Sequence, residues 1–270
     1  MRGLLQKTLR ELWVSTLLIG LGLAGANMLL TFLIPKVQMQ LGDVFERLPF
    51  AQTMMSALLG TEVGKELTAR AMASVLWVHP IVLALVWTQA INLSTRVPAG
   101  EVDRGTIDFL LGLPVSRRLV YACEVVMLLA TGVLVIAMGF AGHRAMAPVM
   151  PADMRPDLQS SLIIMANFYC LYLAVGGVGF LVSALCSHRG RAVAIVLALV
   201  LGSFLLNFAA QLWPPAQRVA FLGVLEYYRP ALVLQSGEVP WSDMLVLLAI
   251  AAFALIAGGE VMARRSLCTT

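Results

Sequence analysis

The chain has 270 residues, of which 60% are hydrophobic and only 13% charged, with a mean hydropathy of +0.86. A soluble domain is about 45–50% apolar and about 25% charged, so this chain has too little polar surface to enclose a water-facing core. A soluble enzyme, a disordered protein and a disulfide scaffold are excluded. The net charge of +4 comes from basic residues in short clusters between apolar blocks, which read as topology signals and not as a nucleic-acid footprint. Cys123, Cys170 and Cys186 fall inside apolar blocks and Cys268 in the tail. Their spacing suits neither a pairing framework nor a metal site.

From the N-terminus, Leu4, Leu5, Leu9, Leu12 and Trp13 fall on one half of a helical wheel, opposite Gln6, Lys7, Arg10 and Glu11. This pattern predicts an interfacial helix, with an ordinary charged flank as the alternative. About 20 apolar residues cross a bilayer as a helix. Six blocks qualify, at about 12–35, 73–93, 119–142, 160–186, 192–213 and 241–262. The expected fold is all-α: a single polytopic transmembrane domain over 1–270. Arg2, Lys7, Arg10 and the Ala24-Gly25-Ala26 run resemble a cleavable leader. The apolar run resumes at once through Met28–Ile34, so the first block is expected to be a retained span.

An even number of spans puts both termini on one side. With segments 1–11, 94–118, 187–191 and 263–270 inside, the density of Lys and Arg is about twofold higher there than in the outer loops, which predicts cytoplasmic termini. Ser187–Arg191 is short enough to force an antiparallel hairpin between spans 4 and 5. Short interfacial helices are expected in both long outer loops, around Leu48-Pro49-Phe50 and around Glu226-Tyr227-Tyr228-Arg229-Pro230.

Small residues recur four apart at Gly20/Ala24, Gly22/Ala26 and Ala194/Ala198/Gly202. They suit either a dimer seam or packing within one subunit. Gly176-Gly177-Val178-Gly179 marks a bend or a close contact. Glu124 and Glu260 are acidic residues within spans near their cytoplasmic ends, expected to snorkel or to pair with Arg117 or Arg118 and with Arg264 or Arg265. Asn27 and Thr31, with Asn207 and Gln211, are either a sparsely polar translocation path or interhelical hydrogen bonds. A path without buried charge would favour an amphipathic substrate. His79, His143 and His188 are scattered, with no metal-ligand spacing, and no nucleophile motif occurs. Catalytic, cofactor and metal residues are therefore expected to be absent.

The segment 98–118 between spans 2 and 3 carries most information. Ile107, Leu110, Leu111 and Pro114 recur at i, i+3, i+4 and i+7, one face of a short helix, with Phe109 and Leu113 flanking it and Asp108 opposite. Gly105 and Pro114 bracket the run, and Ser116 is placed to cap the next helix. Such a helix either docks in a groove on a soluble partner or lies on the lipid surface.

Glu101, Arg104, Gly105, Thr106, Ile107, Asp108, Phe109, Leu110, Leu111, Pro114, Val115, Ser116 and Arg117 form a run that resembles the cytoplasmic coupling segment of ABC-2 type transporter permeases. The likeness extends over nearly the whole chain and is closest in style to the permeases of nitrous-oxide-reductase maturation, gliding motility and antibiotic export. Glu124 departs from it, standing where a Lys or another polar residue is expected. The resemblance implies a non-catalytic permease subunit in a bacterial inner membrane, paired with a second permease copy, the same chain or a relative. A separate ATPase would hold ATP and Mg and dock on the coupling residues just named. It favours docking over the lipid-surface reading. Gly60–Glu66 is one residue short of a P-loop and lacks its Ser or Thr, which agrees with a motor on another chain. The rivals are a self-sufficient secondary transporter or channel, and a membrane scaffold or immunity-type protein that recruits a partner without transport.

Overall fold

A computed structural model describes residues 2–47, 69–112, 114–152 and 154–265. The helices are α1 (Arg2–Arg47), α2 (Ala69–Val78), α3 (Pro80–Ser94), α4 (Ile107–Leu111), α5 (Arg117–Met146), α6 (Leu158–Leu185), α7 (Arg189–Leu212), α8 (Pro230–Ser236) and α9 (Trp241–Arg264). No strand occurs among the described residues. Six stretches are long and apolar enough to cross a membrane: Gly3–Val37, Ala73–Ser94, Arg117–Val149, Leu158–Leu185, Arg189–Leu212 and Trp241–Arg264. The expected all-α polytopic membrane fold is the fold observed.

Two expected boundaries move. The amphipathic start and the first span form one unbroken helix, α1, which continues past Pro35 to Arg47. A proline removes one amide donor and crowds the carbonyl four residues earlier, but here the sequence after it is rich in good helix formers. In the second span the helix breaks at His79, which has extended φ and ψ and caps α3 through Nδ1, while Pro80 takes the first helical position. The loop around Leu48-Pro49-Phe50 lies outside the described residues. The last outer loop does hold short helical turns, at Pro214–Gln217, Ala220–Leu222 and Val224–Tyr227, followed by α8.

Packing follows the logic of a lipid solvent. In hydrocarbon, burying leucine gains little, so small residues and hydrogen bonds hold helices together. The buried stripe of α1 runs Thr8, Leu12, Thr16, Gly20, Leu23, Asn27, Thr31 and Ile34, while Leu17, Leu18, Leu21 and Leu29 face outward. The stripe lies along α5, and α9 lies along α6 in the same way. Both seams close on glycine. A Cβ on Gly142 would stand 2.2 Å from the Ala24 carbonyl oxygen, and one on Gly177 2.9 Å from that of Ala251. Gly20 and Ala24 therefore pack within the subunit, and the glycine run of the fourth span is a close contact in an unbroken helix.

Polar groups inside the bundle find one another. Asn27 Nδ2 donates to the Gly139 carbonyl at 2.9 Å. Thr31 Oγ1 donates to the Asn27 carbonyl at 2.6 Å and lies 2.9 Å from His143 Nδ1. Gln89 donates to Thr16 at 3.1 Å. Tyr121, Tyr172 and Tyr228 hydroxyls donate to the carbonyls of Leu255, Leu128 and Trp77.

Candidate functional site

After α3 the chain leaves helical geometry at Val97, and Ala99 N donates to Ser183 Oγ at 3.2 Å, which holds the turn against α6. One turn of helix then carries Glu101 and Asp103. Glu101 is buried, and its carboxylate accepts from Arg104 Nη2 at 3.0 Å, from Lys7 Nζ at 3.3 Å and from the Thr106 hydroxyl. Gly105 has φ +69°, which a residue with a side chain rarely adopts. That turn lets Arg104 and Thr106 close on the same carboxylate. The spacing E-x-x-R-G-T is thus a self-closing loop. Burial pushes the Glu101 carboxyl up, but the Thr106 hydroxyl, Lys7 and Arg104 outweigh it and hold the group below its ordinary range.

Two further links fix the segment. Asp103 Oδ1 lies 2.9 Å from His188 Nδ1, and its Oδ2 accepts from Arg189 N at 3.3 Å. The His188 hydrogen bond lowers the Asp103 carboxyl, with Arg189 N adding to it. Arg189 in turn donates to Asn92 Oδ1 at 2.6 Å, so the α6–α7 turn grips both the end of α3 and the segment. The second link is a buried arginine. Arg96 pairs with Glu11 of α1 and Glu124 of α5, and donates to Thr8 Oγ1 at 2.9 Å. Thr8 donates to Glu124 at 2.8 Å. Arg96 Nε and Glu124 Oε2 are left without a hydrogen-bond partner among the described residues. Such a cluster contributes chiefly if every charge stays paired.

Beyond these anchors the segment turns outward. Ile107 is fully buried in the bundle's own core, whereas Phe109 in α4 is 82% exposed. Two residues in a helix are separated by about 200°, so seating Ile107 inward directs Phe109 away from the protein. The expected docking face built on Ile107 is corrected accordingly: Ile107 anchors the helix and Phe109 presents it. Arg104, Gly105, Asp108 and Pro114 are exposed, and Thr106 is half-buried. The side chains of Leu110 and Leu111, and all of Leu113, lie outside the described residues. Ser116 caps α5, its Oγ accepting from Leu119 N at 3.2 Å. Arg117 Nη1 donates to the Arg265 carbonyl at 2.6 Å.

Glu124 was expected beside Arg117 or Arg118 and instead pairs with Arg96. Arg117 is drawn to the end of α9, and Arg118 to Glu260, at 3.0 Å. Glu260 also accepts from Arg264 at 3.2 Å, as its position predicted. The roles of Arg96, Lys7, Thr8 and Glu11 were missed. The signal was present: Lys7 and Glu11 are four apart on α1, and a carboxylate inside an apolar helix such as Glu124 calls for a basic partner.

The four residues of the expected path have separate surroundings. Asn27 and Thr31 are buried where α1 meets α5, whereas Asn207 and Gln211 are half-buried on α7, Asn207 donating to Glu226 at 3.3 Å. Among the described residues no three His, Cys, Asp or Glu side chains are grouped to hold a metal ion. The near-P-loop at Gly60–Glu66 lies outside the described residues.

No curated protein and no solved structure matches the chain. The family model for ABC-2 family transporter proteins matches residues 7–258, from within the first span to within the sixth, and takes in the whole of the braced segment. Bundle, segment and match agree, and the chain belongs to the ABC-2 family of membrane transporter proteins.

Proposed function

We propose that the chain is the permease subunit of an ATP-driven transporter and that a separate ATPase, holding ATP and Mg, docks on the segment 98–118. The observation that carries this reading is Phe109, exposed at 82% on a segment that is otherwise tied down on three sides. A large apolar side chain held out in this way contributes about 1.5–3 kcal/mol when a partner groove buries it. Its base is joined to α1 through Lys7 and Glu11, to α5 through Glu124, and to the α6–α7 turn through Asp103. A push on the segment therefore reaches several spans at once, the requirement for rigid-body switching.

Lys7 with Glu101, Asp103 with His188 and Arg117 with Arg265 draw the N-terminus, the segment, the α6–α7 turn and the C-terminal end of α9 to one end of the bundle. That end carries the higher density of Lys and Arg, which supports cytoplasmic termini in a bacterial inner membrane. The working unit is a pair of permeases, identical or related, with the ATPase. An amphipathic substrate, exported or flipped, is supported by a groove of about 220 Å³ between α3 and α7, walled by Trp87, Ile91, Leu197, Leu201 and Phe204. Along α7, Asn207 and Gln211 continue the side of the helix that bears Phe204. Transport that survives alanine at Asn27, Thr31, Asn207 and Gln211 would remove them from the path.

The test is Phe109→Asp in the full chain, expressed from its native locus and solubilised gently. The expected result is a folded permease that no longer co-purifies with an ATPase. Undiminished co-purification would refute docking through Phe109, and absence of any ATPase from the wild-type preparation would return the chain to the secondary-transporter or scaffold readings.

A further inference from the structure

We propose that the C-terminal end of α9 forms a binding site for one anionic phospholipid. Phe253, Ile256, Glu260 and Arg264 follow one another at spacings of three, four and four residues and so share one face of α9. Phe253 is 72% and Ile256 69% exposed, so in a six-span bundle this face meets hydrocarbon. From Ile256 to Arg264 the helix rises about 12 Å, carrying the same face from acyl chains to headgroup depth. There Arg118 of α5 and Arg264 flank Glu260, at 3.0 Å and 3.2 Å.

One carboxylate between two guanidiniums leaves a net positive charge. Arg118 and Arg264 keep 69% and 82% of their side chains exposed, so several of their five N–H donors each remain for a further anion. The adjoining space, about 540 Å³, is bounded by Leu185, Val261, Glu260, Arg264 and Arg265. Arg265 is already committed to the carbonyls of Ala184 and Cys186 and to Ser187 Oγ, which fixes the floor of the space. A phosphodiester fits the paired guanidiniums, and an acyl chain fits the apolar wall of Leu185 and Val261. A basic pocket between spans at headgroup depth is the place where membrane proteins hold anionic lipids. The site shares Arg118 with the end of the segment 98–118 but makes no use of Phe109, and lipid binding is read on the chain without an ATPase.

The experiment titrates the full chain in detergent with phosphatidylglycerol, with phosphatidylcholine of the same acyl chains, and with inorganic phosphate, and reads retained lipid by native mass spectrometry. Phosphatidylglycerol should be retained about fivefold better than phosphatidylcholine, since the cluster carries one net positive charge and each basic group near the membrane surface contributes about a fivefold preference. The double variant Arg118→Gln/Arg264→Gln should lose that preference, and Arg264→Gln alone, at an exposed side chain paired with Glu260, should lose a large part of it. Arg191→Gln, exposed at the start of α7, should keep it. Equal retention of the two lipids, an equal loss in Arg191→Gln, or a preference that survives the double variant would overturn the proposal. Displacement of the lipid by millimolar inorganic phosphate would show an anion site without lipid specificity and would also overturn it.

Discussion

The middle of the bundle and the end that carries the segment 98–118 are held together by different chemistry. Within the bundle the helices meet through glycine on backbone and through hydroxyls and amides donating to carbonyls: Gly142 on Ala24, Asn27 to Gly139, Tyr172 to Leu128. At the segment's end Arg96, Glu11, Glu124, Lys7, Glu101 and Arg104 interlock as ion pairs across α1, α5 and the segment between the second and third spans. A charge at the bilayer centre is costly, and the cost falls toward the interface. The charged joint lies at the ends of its spans, where that cost is lower. The middle is held by close packing, and the end by paired charge.

The sharpest way to break this contrast is to orphan one charge. Arg96→Ala leaves Glu124 buried and without its partner, and should destabilise the chain by about 3–5 kcal/mol, read as a fall in the thermal unfolding midpoint in detergent. Arg96→Met together with Glu124→Leu should recover most of that loss, because an apolar replacement of a buried pair is often neutral or better. The recovered protein should nonetheless transmit poorly, giving ATPase activity with little transport. A smaller effect is expected at the α1–α5 seam, where the contact is backbone on glycine. Gly142→Val forces a side chain against the Ala24 carbonyl and should cost about 1–3 kcal/mol, with faster hydrogen exchange in α1 and α5 and no change in pH dependence.

The mildest change separates the two regions by pH. The Glu101 carboxyl is held below its ordinary range in the folded protein. Its contribution is therefore fully present above the unfolded value of about 4.3 and disappears as pH falls through the lowered folded value. The hydrogen-exchange rate at residues 96–112, taken relative to the rate of an unstructured chain at the same pH, should stay flat from neutrality down to about pH 5 and rise only in stronger acid. Glu101→Gln should raise the baseline and remove the acid step, and α1 near Asn27 should show neither effect.

The six spans were legible because a bilayer imposes one length and one composition on anything that crosses it. The coupling run was legible as a pattern, and Ser116 as a cap, because both depend on neighbours in sequence. The clasp was not legible. Its members, Lys7, Arg96 and Glu124, lie on three elements far apart in the chain, and nothing in hydropathy says which basic residue reaches which carboxylate. Which side of α4 turns inward was not legible for a related reason. The face of Ile107, Leu110, Leu111 and Pro114 follows from periodicity, which over so short a helix does not say what that face meets, and only the bundle shows that it seats Ile107. The break at His79–Pro80 and the continuity through Pro35 show the same residue type acting in opposite ways. Only Pro80 follows a residue that has already left helical geometry.

The unbroken α1 has a mechanical meaning of its own. Its 46 residues make a rod about 69 Å long, against a bilayer of about 40–45 Å with headgroups. The rod must either stand proud of the membrane or lean within it. Gripped near Lys7 and Glu11, it works as a lever with the bundle as fulcrum: a lean of about 5° about its middle would carry its far tip through about 3 Å. Events on one aqueous side can in this way be felt on the other without any signal passing through the packed interior, and Pro35 is the joint at which that lever would bend.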